Sequence, residues 1–278
     1  MALRKSAQHE YLSEITFNLS EMDSVDLFGD RARLLPQKDK FLGLFNREEL
    51  EDALNQSGLL PGLVKKGFTD FTIDIQTEIE SDHRLIITDN ESSEQLIFMR
   101  LHLGAYSASE LFAPLERMRL LFIDWLLLQN PKAKASRKPL FPGQKFPGNG
   151  LFPEVKKFML MLIERGKLDG AANLPEFFHD AVLFADKFQF LNPESQGIFE
   201  ALLRDLGKIG LRKLSSCIHD NLVLQKESGK EAEMFNFKPG EMVVGNSTEL
   251  KVYLSSPKYR QIANKTRDKF SFSLVKDS

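Results

Sequence analysis

Apolar positions follow a helical spacing in the stretch that begins at residue 46. Asn46 precedes that stretch, and Glu49 stands three residues after it. An asparagine cap with a glutamate at the third helical position satisfies two backbone N–H groups that a helix start leaves unbonded. We therefore predict a helix from Asn46 to Gly58 and a shorter second helix from Gly62 to Lys66.

The spacing changes to strict alternation after residue 68, which is the period of a strand with one buried face. Short polar joins at 80–82 and 90–93 are typical of hairpin turns, so we predict an antiparallel meander. The next stretch, Leu120–Leu128, is almost continuously apolar, as expected of a central strand covered on both faces. The three alternating stretches are Phe71–Gln76, His83–Thr88 and Gln95–Tyr106.

A glycine-rich loop follows that central strand and precedes a helix. Gly143, Gly148 and Gly150 allow the backbone to approach a ligand closely, and Pro153 suits a first helical turn, so a helix should begin near Leu151. Unpaired N–H groups ahead of a helix N-terminus favour an anion such as phosphate. A short buried strand, Leu168–Leu174, and a second apolar helix that carries Phe177, Ala181, Phe184, Ala185 and Phe188 on one face are predicted next.

The loop does not fit the common phosphate patterns, because no Gly-Lys-Ser/Thr stands before the helix and no GxGxxG is present. The segment from Lys145 to Gly150 instead resembles the pyrophosphate loop of the GNAT family of acyl-CoA N-acyltransferases, Arg/Gln-x-x-Gly-x-Gly/Ala. The resemblance extends to the second helix, for which the family pattern is Asn-x-x-Ala-x-x-Leu-Tyr-x-Lys-x-Gly-Phe. The positions that match it are Ala181, Lys187 and Phe190.

The chain also departs from the family pattern. Ala185 stands where the family has a tyrosine that often protonates the departing CoA thiolate, Gln189 replaces a glycine and Phe178 replaces an asparagine. Lys145 takes the place of the usual Arg or Gln, with Gln144 one residue earlier. The basic segment 132–142, between the central strand and the glycines, is longer than the family usually has.

The resemblance implies an α/β fold with a mixed, mostly antiparallel sheet that is splayed at its central strand and has helices on both faces. The resemblance spans residues 40–193, and it implies an acyl-CoA-binding domain over residues 1–195 with a C-terminal extension, residues 196–278, packed on that core. It further implies transfer of an acetyl or other acyl group from acyl-CoA to an amine, by direct attack in a ternary complex and without a metal. The alternatives are a CoA-binding or regulatory module that has lost catalysis, and an α+β interaction protein with no CoA site.

The cofactor-binding residues implied by the resemblance lie in the glycine-rich loop. Backbone N–H groups from Phe146 to Leu151 would hold the CoA pyrophosphate, and Lys145 would add a positive charge. The alternative is a turn that only joins a strand to a helix. The full set of expected CoA contacts is Gln144, Lys145, Phe146, Gly148, Asn149, Gly150 and Leu151.

Three residues are candidates for the proton transfers that such a reaction needs. Asp124, within the central strand, could act as a base with a raised pKa if it is buried. Glu176 and His179 precede or begin the second helix, and His179 could protonate the thiolate in place of the missing tyrosine. The alternatives are a strand-edge carboxylate for Asp124 and a surface histidine for His179. His102 and His219 are expected to be core or surface residues.

Composition limits the remaining classes of function. The 278 residues are 42% apolar and 27% charged, and the formal net charge is −2. The chain therefore has no excess of positive charge that would attract nucleic acid. The single cysteine, Cys217, cannot form an intrachain disulfide, and the chain shows neither metal-ligand spacing nor a GxSxG elbow. With no signal-like N-terminus and no apolar run long enough to span a membrane, we expect a cytoplasmic protein.

The flanking regions carry weaker patterns. Ile15–Leu19 could form a first strand. Towards the C-terminus we predict a helix over Ile198–Leu206 and strands over His219–Gln225 and Phe235–Val244, the latter with a turn at Pro239–Gly240. Ser256 and Pro257 predict the start of a final helix that ends near Phe270.

Overall fold

The computed structural model of the protein describes residues 39–105, 117–133, 140–141 and 144–275. The predicted strand Ile15–Leu19 and most of the basic segment 132–142 lie outside these residues. All of the described residues belong to one compact unit. None of the described helices is long and apolar enough to cross a membrane.

The first two helices form where the sequence predicts them. Helix α1 spans Arg47–Gln56, and Asn46 accepts from the N–H of Glu49 while the Glu49 carboxylate accepts from the N–H of Asn46. Gly58, with φ of +89°, separates α1 from α2, Leu59–Lys65. The apolar faces of both helices are buried.

The predicted meander is confirmed. Strands β1, β2 and β3 pair antiparallel in sequence order, and β3 pairs antiparallel with β4. The prediction that both faces of β4 are covered is wrong for its second half, where Asp124 and Trp125 are exposed, because the helices on one side reach only Leu120 and Phe122. The bounds are Phe71–Gln76 for β1, His83–Asp89 for β2, Gln95–Gly104 for β3 and Leu120–Leu128 for β4.

The helix after the glycine-rich loop and the short buried strand are also confirmed. Helix α3, Phe152–Arg165, has Leu151 as its N-cap and returns the chain so that β5, Gly170–Asn173, pairs parallel with β4. Helix α4 spans only Phe178–Phe184, which is shorter than the predicted apolar stripe, because Ala185 caps it and Phe188 is buried beyond a turn. Strand β6, Gln189–Phe190, follows.

The C-terminal third differs most from the prediction. Helix α5 spans Pro193–Leu206 and starts earlier than predicted, since Asn192 caps it through its side chain. His219 ends a helix, α6, rather than starting a strand, and the predicted strand Phe235–Val244 is replaced by separate strands in two sheets. The observed elements are α6 Leu211–His219, β7 Val223–Glu227, β8 Ala232–Met234, β9 Met242–Gly245, α7 Thr248–Ser255, α8 Pro257–Lys269 and β10 Phe270–Leu274.

The strands form a seven-stranded sheet in the order β1-β2-β3-β4-β5-β9-β6 and a small sheet in the order β10-β7-β8. Among the strands that the structure describes, only β4 and β5 pair parallel, so the mixed, mostly antiparallel sheet is confirmed. Because β9 lies between β5 and β6, residues beyond 196 complete the main sheet. One large core packs α1 to α6 on one face, and a smaller core packs α7 and α8 on the other.

Candidate active site beside the open edge of β4

A β-bulge lies in the middle of β4. The register with β3 passes from Leu101 opposite Ile123 to Arg100 opposite Trp125, so Asp124 has no partner residue on β3. A bulge of this kind bends its strand and reorients the side chain of the extra residue. In β4 that residue is the carboxylate which the sequence singles out.

The main sheet opens at the same position. Strand β5 pairs with β4 only from Leu120 to Ile123, and its last residue, Asn173, lies opposite Ile123. From Asp124 to Leu128, no strand among the described residues pairs with β4 on the β5 side. Along that edge, the described residues supply no strand partner for the backbone polar groups of β4.

The bulge brings Asp124 to His102. The Nδ1 atom of His102 lies 2.7 Å from Oδ2 of Asp124, and each side chain is 27% exposed. The imidazole also stacks on Phe122, with ring centroids 4.7 Å apart and planes 7° apart. In the neutral tautomer that carries its proton on Nδ1, His102 donates to the Asp124 carboxylate and keeps a lone pair on Nε2.

The two faces of the sheet beside this opening pack against different cores. Phe122 packs against the core under α7 and α8, so the His102–Asp124 pair lies on that face of the sheet. Residues Leu121 and Ile123 belong to the core under α3, on the opposite face. A ligand that reaches the pair from the α3 side must therefore pass between β4 and the end of β5.

The glycine-rich loop lies at the far end of the same strand edge. The N–H of Asn130 donates to the carbonyl of Pro147, and a Cβ on Gly148 would lie 3.6 Å from the carbonyl oxygen of Leu128. Gly150 adopts φ of +75°, which requires glycine in practice. The loop is thus fixed directly beyond the last residues of β4.

Two buried contacts hold the loop in place. Asn149, 2% exposed, donates through Nδ2 to the carbonyl of Leu96 and accepts through Oδ1 from the N–H of Leu151. Gly62 of α2 allows Leu151 to pack closely, because a Cβ there would lie only 2.6 Å from a Leu151 methyl carbon. Leu151 therefore serves as a packing and capping position, and its N–H is already bonded.

Other loop amides have no acceptor. Among the described residues, the N–H groups of Gly148, Gly150 and Phe152 find no hydrogen-bond partner, and both glycines are exposed. These donors stand at the positive end of the 14-residue helix α3. The arrangement provides part of an anion site of the expected kind.

Two lysines of the described residues bring positive charge near the loop. Lys145 forms an ion pair with Glu94, with Nζ 2.8 Å from Oε1, and its side chain is 68% exposed. Lys66, which the sequence analysis missed, lies beside Gly150, with Nζ 3.6 Å from the position of a glycine Cβ. Gln144 does not face a free loop amide, since its Oε1 accepts from the N–H of Phe141.

A carboxylate also lies in the first turn of α3. The side chain of Glu154 packs against Gly58, and its Oε2 atom is buried without a hydrogen-bond partner. A negative charge at a helix N-terminus interacts favourably with the dipole and therefore competes with a bound anion.

His179 occupies a different environment from the His102–Asp124 pair. It is 4% exposed, so the surface alternative is wrong, and it stacks between Phe141, at 4.4 Å, and Phe177, at 5.4 Å. Its Nδ1 lies 3.0 Å from Oγ of Ser215 on α6. Burial lowers the pKa of His179 to about 4, and the charge of Arg212 acts in the same direction.

Asp180 adjoins this histidine, with Oδ1 3.4 Å from its Nε2. Burial raises the pKa of Asp180 to about 6, although the N–H of Phe177 opposes the rise; the nearby charge of Glu176 adds to it. Glu176 itself is exposed ahead of α4. Neither His179 nor Glu176 contacts the pair on β3 and β4 within the described residues.

No protein-family model and no curated protein matches the chain. Within the described residues, no group of three or more His, Cys, Asp or Glu side chains could hold a metal ion. A depression of about 180 Å³ between α1 and the end of β1, lined in part by Asp39, Phe41 and Arg47, does not involve the loop. The site is therefore defined by geometry along β4.

Proposed function

We propose that the chain is an acyl-CoA-dependent N-acyltransferase, which moves an acetyl or other acyl group to an amine by direct attack in a ternary complex. The observation that carries the proposal is the arrangement along one strand edge. A loop with free amides lies beyond Leu128, the edge is open from Leu128 back to Asp124, and a histidine–aspartate pair lies at its inner end.

The dimensions of that edge match coenzyme A. Leu128 and Asp124 are four residues apart, or about 13 Å along an extended strand. The pantetheine arm has twelve bonds between the diphosphate and the sulfur, which equals four residues of extended chain and a length of about 14 Å. With its diphosphate at the loop, the arm would bring the thioester to the His102–Asp124 pair.

The groups at the inner end suit the chemistry. His102 Nε2 takes a proton from the acceptor amine, whose nitrogen attacks the thioester carbonyl. Asp124 accepts from Nδ1–H, which fixes the tautomer and stabilises the imidazolium as it forms. The unpaired backbone edge beside the bulge offers N–H groups for the carbonyl oxygen as negative charge develops.

Collapse of the tetrahedral intermediate breaks the carbon–sulfur bond and forms the amide. The proton removed from nitrogen then ends on the thiolate, either from His102 or through water, so free CoA and the acylated amine are the products. A tyrosine is therefore not needed to protonate the thiolate, which is consistent with Ala185 at the position of the family's tyrosine.

A CoA-binding module without catalysis is the second candidate. It is favoured by Ala185, which stands where the family has a tyrosine. It is also favoured by the exposed ion pair in which Glu94 neutralises Lys145, the lysine expected to contact the diphosphate. An interaction protein with no CoA site is a third, favoured by the carboxylate of Glu154 in the first turn of α3.

Acyl transfer to a panel of amines separates these candidates. Acetyl-CoA and longer acyl-CoAs are incubated with primary amines, amino acids and peptides, and release of the CoA thiol is followed together with the mass of the product. We expect amine-dependent thiol release. Binding of acyl-CoA without release under any amine would support the non-catalytic module instead.

A further inference from the structure

The side chain of Arg100 on β3 is held by a carboxylate on one side and is open on the other. Its Nε atom lies 3.0 Å from Oδ1 of Asp82, and the arginine side chain is 47% exposed. Asp82 is fixed in turn by Arg84, whose Nε donates to the same oxygen at 3.0 Å. The terminal nitrogens of Arg100 donate no hydrogen bond to the described residues. One carboxylate thus faces two guanidinium groups, which leaves a net positive charge on this face of the sheet.

The strand register brings the guanidinium of Arg100 towards His102. The two residues are two positions apart on β3, so their side chains lie on one face of the sheet. Asp82 directly precedes β2, whose first residue, His83, pairs with Leu101. Asp82 therefore lies across from His102, and its contact with Arg100 turns the guanidinium along the strand towards the imidazole. A positive charge with unbonded donors lies alongside the proposed base.

An exposed indole lies on the other side of Arg100. Trp125, the one tryptophan of the chain, pairs with Arg100 across the two strands and directly follows Asp124 at the bulge. It is 51% exposed, and as the cross-strand partner of Arg100 it lies on the face that carries the His102–Asp124 pair. The base is thus flanked by a cationic group and by an apolar ring, on the face of the sheet away from α3.

We propose that the acceptor amine is an α-amino acid with an apolar or aromatic side chain. The inference rests on the function proposed above and names the class of its acceptor. The terminal nitrogens of Arg100 donate to both carboxylate oxygens of the amino acid, a bidentate contact that suits the planar guanidinium. The amino group, two bonds from the carboxyl carbon, then lies at Nε2 of His102, and the side chain of the amino acid packs on Trp125.

The two substrates occupy different spaces. The arm of CoA lies along the edge of β4, while the amino acid lies on the face of the sheet away from α3. The neutral amino nitrogen bonds to the acyl carbon as the carbon–sulfur bond breaks, and its proton passes through His102 to the thiolate. The products are an N-acylamino acid and free CoA.

The test compares three acceptors with acetyl-CoA as the donor: phenylalanine, phenylalanine amide and phenethylamine. We expect kcat/KM to be about 10- to 100-fold higher for phenylalanine, the range for a hydrogen-bonded charge pair. The amide is the weaker base and has more unprotonated amine at neutral pH, so basicity alone would favour the amide over the acid. Equal kcat/KM for the three acceptors would overturn the assignment.

A variant of the arginine isolates its contribution. Arg100→Gln should lower kcat/KM for phenylalanine to the value for phenethylamine and leave that for phenethylamine unchanged. Arg260→Gln is the matched control and should keep the preference, because Arg260 is equally exposed and also faces a carboxylate, with Nη1 3.5 Å from Oε1 of Glu200, but belongs to α8. A loss in Arg100→Gln that is equal for all three acceptors would show a structural role and overturn the proposal.

Trp125 supplies a measurement that does not depend on catalysis. As the single tryptophan, it accounts for the tryptophan emission of the chain. Titration with N-acetylphenylalanine, the product, should shift this emission to shorter wavelength with saturation, because the phenyl ring excludes water from the indole. N-acetylphenethylamine, which lacks the carboxylate, should cause no shift at the same concentrations, and Arg100→Gln should not respond to either compound. Shifts of equal size with both compounds would overturn the role of Arg100.

Two outcomes distinguish failure of this assignment from failure of the function. If the wild type acylates phenethylamine as readily as phenylalanine, the acceptor class is overturned while the acyltransferase function stands. If no amine causes thiol release and CoA leaves the melting temperature unchanged, the function itself is overturned.

Discussion

The Nδ1 atom of His102 on β3 lies 2.7 Å from Oδ2 of Asp124, at the bulge where β4 gains an extra residue. The contact joins residues 22 positions apart in the sequence and stands where β5 stops pairing with β4. In the proposed reaction this contact supplies the open edge of the sheet with a base, His102, whose tautomer the Asp124 carboxylate fixes.

Replacing His102 with glutamine should lower the rate constant for acyl transfer by about 10²- to 10⁴-fold, the range for loss of a general base. Asp124→Asn should also lower kcat, because the amide no longer fixes the tautomer. The binding of CoA should be unaffected by either change. His219→Gln, an exposed histidine on α6, is the control and should retain full activity. Equal kcat for His102→Gln and wild type would remove the assigned base.

Glu154→Gln should increase the affinity for CoA by about two- to fivefold, which corresponds to the 0.3–1 kcal/mol of a charge at a helix end. The carboxylate lies in the first turn of α3, where the diphosphate is proposed to bind. The gain should shrink at high salt, since screening weakens the repulsion. Glu164→Gln, at the other end of α3, supplies the comparison by isothermal titration calorimetry. Unchanged affinity in Glu154→Gln would place the diphosphate elsewhere.

The pair formed by His179 and Asp180 predicts an unusual pH dependence of stability. His179 has a folded pKa of about 4, below its ordinary 6.5, so the unfolded chain binds more protons and stability falls as pH drops from about 6.5 to 4. Asp180 has a folded pKa of about 6, above its ordinary 3.8, so the folded chain binds more protons there. The stability that Asp180 contributes therefore increases as pH drops through nearly the same interval. The two dependences oppose each other.

A His179→Gln variant separates them. The free energy of unfolding of wild type and variant is measured by urea unfolding at several pH values, and the contributions of carboxylates elsewhere cancel in the difference between them. The wild type should lose stability relative to the variant as pH falls from 6 to 4. A difference that is constant across the interval would contradict the neutral, buried imidazole.

The start of α1 offers a test of the fold that is independent of function. Asn46→Ala removes the side-chain cap and should lower the free energy of unfolding by about 1 kcal/mol. Asn55→Ala, an exposed position inside the same helix, should be neutral or slightly stabilising because alanine has the higher helix propensity. Chemical denaturation of both variants checks the contrast. Equal losses would show that the cap contributes nothing specific.

The elements that the sequence predicts well are those specified by local signals. The capping box at Asn46, the alternation in β1 to β3 and the apolar run of β4 each depend on neighbouring residues, and all are present. The short strand β9 was missed as a separate element because it is buried by pairing with β5 and β6, which are distant in the chain. Helix α6 was missed because its apolar stripe is short.

The site was predictable only in part. Asp124 and the loop stand out as a charge within an apolar run and a cluster of glycines. The sequence predicts a core or surface role for His102, a polar residue on the strand next to β4. A bulge decides which β4 residue His102 meets, and a bulge leaves no local sequence signal. Lys66 and Gly62 act on the loop from α2, which only tertiary packing reveals.

Replacement of Gly148 is the most direct test of the loop as the CoA-binding segment. Its backbone angles are not in the left-handed region, and the nearest atom to an added Cβ is 3.6 Å away, so Gly148→Leu should fold. The side chain would cover the free amides of the loop and abolish CoA binding. Gly207→Leu, where the nearest atom is 4.0 Å away, is the control and should bind CoA normally. Binding by both variants alike would contradict the loop assignment.

The most direct test of the central claim is the melting temperature of wild-type protein titrated with coenzyme A. A ligand that binds only the folded chain adds about 2.7 kcal/mol of stability at one hundred times its dissociation constant. We predict a melting temperature that rises progressively with CoA and acetyl-CoA and does not rise with Gly148→Leu. A melting temperature that stays constant up to millimolar CoA would contradict the account.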